Sequence, residues 1–131
     1  MIVVDASALV AILLDEPDAD AFTARILASP GPVISPVGYW EAATRLRRFR
    51  GAQGVAELEI AMDQLGISIW PASMATARLA AEAEARFGKR TPANLNLGDC
   101  FAFALAKEMD APLLFKGNDF SRTDIRPALP G

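Results

Sequence analysis

The chain has 131 residues, 52% of them apolar and 22% charged, with a net charge of −3. That is one domain, long enough to bury a real core and too short for a second domain, and the apolar content with the small net charge excludes disorder. The longest apolar run, Ala6 to Leu14, is too short to span a membrane and is interrupted by Ser7. Asp5 stands where the basic start of a signal peptide would be, so no leader is expected and a cytoplasmic setting is the simple reading. Cys100 is alone, which excludes an internal disulfide and a cysteine-rich zinc site.

Met1 to Val4 reads as a short strand ending at Asp5, and Ala8 to Leu14 as a short helix. Pro17, Asp18 and Asp20 open a second helix that runs to about Ser29, acidic in its first turn as the dipole prefers. Pro30-Gly31-Pro32 breaks the chain before a second strand, Val33 to Ser35. Ser35 followed by Pro36 is a strong helix start. Tyr39, Ala42, Ala43, Leu46 and Phe49 continue that helix at helical spacing. Gly51 and Gly54 punctuate it, and Val55 to Leu65 is another helix, ended by Gly66. Ile67 to Trp70 is a third strand. Ser73 caps a long helix that closes at Gly88. Lys89 to Leu97 is a polar loop, Gly98 to Met109 an apolar helix and Leu113 to Phe115 a fourth strand. Lys116 to Asp119 is a turn, and Thr123 to Ile125 is expected to add a short edge strand. Short strands alternating with helices predict one α/β domain over residues 1–131. Its sheet is expected to be mainly parallel, with four to five short strands flanked by helices.

There is no histidine in the chain. Ser-His-Asp and Cys-His catalysis and imidazole metal ligation are therefore excluded. A catalyst built from this composition must use carboxylates, amines, hydroxyls or a metal with oxygen ligands, which suits magnesium or manganese. In a parallel sheet, ligands gather at the carboxyl ends of the strands. Asp5 ends strand one, Glu41 lies early in the helix after strand two, Asp99 in the first turn of the apolar helix, and Asp119 one turn past strand four. Converging carboxylates repel, and a divalent cation is the natural compensation. Removing these four acids takes the net charge from −3 to +1, and Arg45, Arg47, Arg48 and Arg50 form a local basic stripe, so a polyanion remains an acceptable partner.

Several stretches together resemble a known family. They are Ile2-Val3-Val4-Asp5-Ala6-Ser7-Ala8-Leu9, the Glu41 helix, Leu97-Gly98-Asp99-Cys100, and Leu113-Leu114-Phe115-Lys116-Gly117-Asn118-Asp119-Phe120. In their order and approximate spacing they are similar to a PIN domain, and in detail to the VapC toxins of bacterial VapBC toxin-antitoxin pairs. The resemblance implies a PIN-like fold and a magnesium-dependent endoribonuclease, usually a homodimer, inhibited by a cognate VapB-like antitoxin. It implies RNA as substrate, a preference the acids alone do not provide. By the same resemblance Asp5, Glu41, Asp99 and Asp119 hold the metal, with Ser7 supporting them. At the fourth position Asn118 and Asp119 both remain open.

Each residue also has a plainer reading. Asp5, Ser7 and Asp99 suit helix starts without any chemistry. Glu41 and Arg45 are spaced for a surface ion pair. Arg45 is otherwise a supporting residue or a phosphate contact, and Lys116 is either a solvated lysine or a phosphate contact. Lys89 and Arg90 sit in a loop that can meet substrate. Trp40 and Trp70 are expected in the core or a dimer contact rather than as base-stacking platforms, Cys100 in the core, and Asp124 at an edge or turn. Two other functions are weighed: a phosphotransferase with Asp5 as nucleophile, which would ordinarily carry a second Asp where Ser7 stands, and a catalytically silent binding module of the same fold.

Overall fold

The computed structural model describes residues 1–130. Its sheet contains β1 (Val3–Val4), β2 (Val33–Ile34), β3 (Ser68–Ile69) and β4 (Leu113–Leu114). The order is β3-β2-β1-β4 and each pairing is parallel, with Val3 registered against Val33 on one side and Leu113 on the other. Successive strand residues face opposite sides of a sheet. Ile2, Val4, Ile34 and Leu114 accordingly join one core with the helices α1 (Ala6–Leu13), α2 (Ala19–Leu27) and α3 (Pro36–Leu65). Val3, Val33 and Leu113 join a second core with α4 (Met74–Phe87) and α5 (Leu97–Glu108). Helices on both faces explain why the inner strands are uniformly apolar. The edge strand β3 differs, with both residues exposed.

Local chemistry sets most helix starts. The Ser35 hydroxyl accepts from the Val37 N–H at 3.1 Å with Pro36 in the first turn, and Ser73 forms a capping box with Thr76. Within α3, Gly51 has φ 63° and ψ −150°, which breaks the helix there as expected. Gly54 does not add to the break. It packs within the resumed helix, where a Cβ would strike the Leu46 carbonyl.

Two boundary expectations are corrected. The first helix begins at Ala6, because Asp5 and not Ser7 is its cap. The tail meets the sheet two residues later than expected. The Thr123 hydroxyl accepts the Ile125 N–H and holds that stretch in a turn, and the pairing with the sheet is a single parallel bridge between Leu113 and Pro127. Among the described residues no helix is long and apolar enough to cross a membrane.

The chain order steps from β1 outward to β3 and then returns to place β4 on the other side of β1. That reversal opens a crevice at the carboxyl ends of β1 and β4.

Candidate active site

Asp5 sits at this crevice because it is the first residue after β1. Its carboxylate caps α1, accepting the Ser7 N–H at 3.0 Å and the Ser7 hydroxyl at 2.6 Å, both on Oδ2. The Ser7 Oγ in turn accepts the Lys116 backbone N–H at 2.9 Å. Ser7 thus ties the first acid to the end of β4. Asp5 is only 6% exposed, and burial raises its pKa, with the Asp119 charge acting in the same direction.

Glu41 lies in the second turn of α3 and reaches across to α5. Its carboxylate lies where a Cβ on residue 98 would be, so the approach depends on Gly98. Burial first, then the charges of Asp5 and Asp99, push Glu41 up to about 7, while Arg45 pulls the other way. Asp99 stands in the first turn of α5 and completes a capping box with Asn96. Its Oδ2 accepts the Asn96 N–H at 3.0 Å, and Asn96 Oδ1 accepts the Asp99 N–H at 2.9 Å. Burial pushes Asp99 up to about 6, against the Asn96 hydrogen bond; Asp5 and Asp119 add to the rise and Lys89 opposes it. The capping and active-site readings of Asp5 and Asp99 are therefore compatible, since each acid does the first and faces the cleft.

These three acids and Asp119 line one cleft of about 210 Å³, together with Ser7, Arg45 and Arg48. Trp40, Thr44 and Asn96 also line it and were not assigned to it from sequence. A signal for the first two exists: Trp40 precedes Glu41, and Trp40, Thr44 and Arg48 recur at four-residue spacing along one helix face.

Other expected residues lie elsewhere. The Lys116 ammonium pairs with Glu16 at 2.6 Å and Asp18 at 3.4 Å, which turns it away from the cleft; only its backbone N–H supports the site. Lys116 and Asn118 line a separate, mainly apolar cavity of about 560 Å³ beside Phe22, Phe115 and Phe120. That cavity is larger but lacks the acid cluster. Of the two residues open at the fourth position, Asp119 lines the acid cleft and Asn118 does not. Asp124 pairs with Lys107 and Arg86 at 3.3 and 3.5 Å. Cys100 is buried, as expected, whereas Trp40 and Trp70 are exposed and lie outside the core.

The donor set is all oxygen, as a hard divalent cation requires. Among the described residues no three acids close into a tight ligand group. Burial first, and then the neighbouring acids, raise the pKa values of Asp5, Glu41 and Asp99. The residues fit a divalent ion in kind, with Gly98 leaving the room through which Glu41 approaches Asp99.

The PIN domain profile matches residues 2–126. This chain belongs to the PIN domain family. Ribonuclease VapC30 of Mycobacterium tuberculosis is 42% identical over 130 residues, covering 98% of this chain and 99% of the relative. Ribonuclease VapC of Mycolicibacterium smegmatis is 40% identical over 124 residues, covering 94% and 96%. The crystal structure of Mycobacterium tuberculosis VapC20, described as a sarcin-ricin loop cleaving toxin, superposes with a TM-score of 0.77 at 16% identity, covering 95% of this chain and 96% of that one. At that identity the match concerns the PIN fold alone. The relatives place this PIN domain among the VapC proteins over nearly its full length.

Proposed function

We propose that this PIN domain is a metal-dependent endoribonuclease and the toxin of a toxin-antitoxin pair. The observation that carries the reading is the convergence of Asp5, Glu41, Asp99 and Asp119 on one cleft at the sheet's switch point. The names of the full-length relatives support the same class of reaction.

Asp5, Asp99, Glu41 and Asp119 would hold magnesium, or manganese in its place. When bound, such an ion lowers the pKa of water and stabilises charge on a phosphoryl group. The chain's own residues do the rest. Ser7 fixes the Asp5 carboxylate by its 2.6 Å hydrogen bond. Glu41, through a carboxylate oxygen not engaged by the ion, can take a proton from an attacking water. The water oxygen bonds to phosphorus as the bond to the 3′ oxygen breaks; one water proton passes to Glu41 and the leaving 3′ oxygen takes a proton from solvent, so the products carry a 3′-hydroxyl and a 5′-phosphate. Arg45 and Arg48, exposed on the cleft wall, offset the charge of the entering backbone.

The test is cleavage of a single-stranded RNA in magnesium, with the new ends identified. The reading expects 5′-phosphate ends and loss of cleavage in Asp5→Asn. Cyclic 2′,3′-phosphate products, or undiminished cleavage by Asp5→Asn, would overturn it.

Two partners belong to the proposal. An antitoxin presenting an arginine or lysine to the four acids would compete with magnesium, so its affinity should fall as magnesium rises at constant ionic strength. A second copy of the chain is the other. Leu97, 68% exposed at the start of α5, lines a groove with Ala77, Ala81 and Phe101, and Met74 at the start of α4 is 70% exposed. A solution mass of twice the 14.0 kDa chain is expected.

A further inference from the structure

We propose that Trp40 is a stacking platform for an unpaired base next to the scissile phosphate, and that it restricts the cleft to single-stranded RNA. This rests on the reading of the cleft as a ribonuclease site.

Three observations carry it. Trp40 is 61% exposed, so its indole contributes little to the core, yet it lines the acid cleft. It immediately precedes Glu41, which lines the same cleft as Asp5 and Asp99. It also begins the row Trp40, Thr44, Arg48, all three of which line the cleft. At a rise of 1.5 Å per residue, that row extends about 12 Å along α3 from an aromatic face to a guanidinium.

The charge pattern explains why an aromatic suits this position. Asp5, Glu41, Asp99 and Asp119 repel a polyanion, and Arg45 and Arg48 offset only part of that. A neutral π face adds affinity through the base, which carries no charge for the acids to oppose. A base inside a duplex is already stacked and cannot offer its face, whereas an unpaired base can. Stacking of this kind tolerates any base, so Trp40 selects for strandedness rather than sequence.

The chain has two tryptophans, so Trp70→Phe leaves Trp40 as the sole indole reporter in the full-length protein. Its fluorescence is read in EDTA during titration with a short single-stranded oligoribonucleotide, the same oligonucleotide with abasic sites, and the corresponding duplex. Strong quenching by the first and little by the other two is expected. In magnesium, Trp40→Ala should raise KM for the single strand about 10- to 100-fold with kcat little changed, and Trp40→Phe should recover most of the loss. Equal quenching by the abasic strand, or unchanged KM in Trp40→Ala while the wild type cleaves RNA, overturns the stacking role and leaves the ribonuclease reading standing. A wild type that neither binds nor cleaves the single strand overturns both. A Trp40→Ala protein with unchanged oligonucleotide affinity but a smaller solution mass would assign the indole to a protein contact and also overturn the proposal.

Discussion

The Glu41 carboxylate occupies the space that any side chain at Gly98 would fill. One glycine thus lets an acid from α3 meet the first turn of α5, where Asp99 stands. Gly98→Ala should separate function from folding. The colliding atoms are the far end of a flexible side chain, so the melting temperature should change little. Glu41 must swing away, and cleavage should fall by about as much as in Glu41→Gln, on the order of 100- to 10,000-fold. Parallel melting curves and cleavage rates of the two variants check this. A large drop in melting temperature would mean that the backbone and not Glu41 gives way.

Stability without metal should depend on pH with a definite sign. Asp5, Glu41 and Asp99 all have pKa values raised in the folded protein, Glu41 from 4.5 to about 7 and Asp99 from 3.8 to about 6. Between the ordinary carboxylate range and about 7 the folded state therefore binds more protons than the unfolded chain. Its stability should fall as pH rises through that window, by less than the roughly 1.4 kcal/mol that each tenfold rise in proton affinity would give a fully buried group, because Glu41 and Asp99 are partly exposed and screened by solvent. Melting in EDTA should thus occur at higher temperature at pH 5 than at pH 8, and Glu41→Gln should flatten the difference. Saturating magnesium at pH 8 should restore about 2–4 kcal/mol by mass action.

Asp99 is both a cap and a member of the acid cluster, and two substitutions separate those roles. Asp99→Asn keeps an oxygen for the Asn96 N–H and removes the charge. Asp99→Ala removes both. In EDTA at pH 8 the Asn variant should melt at or above the wild type. The Ala variant should lie below the Asn variant by about 1 kcal/mol, or roughly 3–6 °C. Both should lose RNA cleavage. Thermal scans of the three proteins decide the matter.

Much of this was legible in the sequence, because the relevant signals are local. Ser35-Pro36 and Ser73 declare their helices by the hydrogen bonds they can make within a turn, and Gly51 breaks α3 by its positive φ. The four acids were singled out because each lies soon after a strand or near a helix start, and all four line one cleft. What was missed depends on distant partners. Lys116 is drawn from the cleft by Glu16, a hundred residues earlier in the chain. Asn118 and Asp119 are neighbours in sequence, and only the path of the turn decides which one meets the cleft. Nothing local in Gly98 distinguishes a helix-start glycine from one that makes room for a carboxylate on another helix.

Ser7 joins two parts of the site that are far apart in sequence, Asp5 and the Lys116 backbone N–H. Ser7→Ala leaves that N–H without its acceptor and removes the shorter of the two Ser7 bonds to Asp5. A loss of about 1–3 kcal/mol in denaturant titrations is expected. Cleavage should fall about 10- to 100-fold because the Asp5 carboxylate is no longer held.

On the function proposed above, the four acids work by holding a divalent ion against RNA. The rate of single-stranded RNA cleavage, followed across a magnesium titration at constant ionic strength and pH, tests it most directly. The wild type should be inactive in EDTA and rise to saturation with magnesium, while Asp5→Asn stays flat across the series. Full cleavage in excess EDTA, or an Asp5→Asn curve that overlays the wild type, would contradict it.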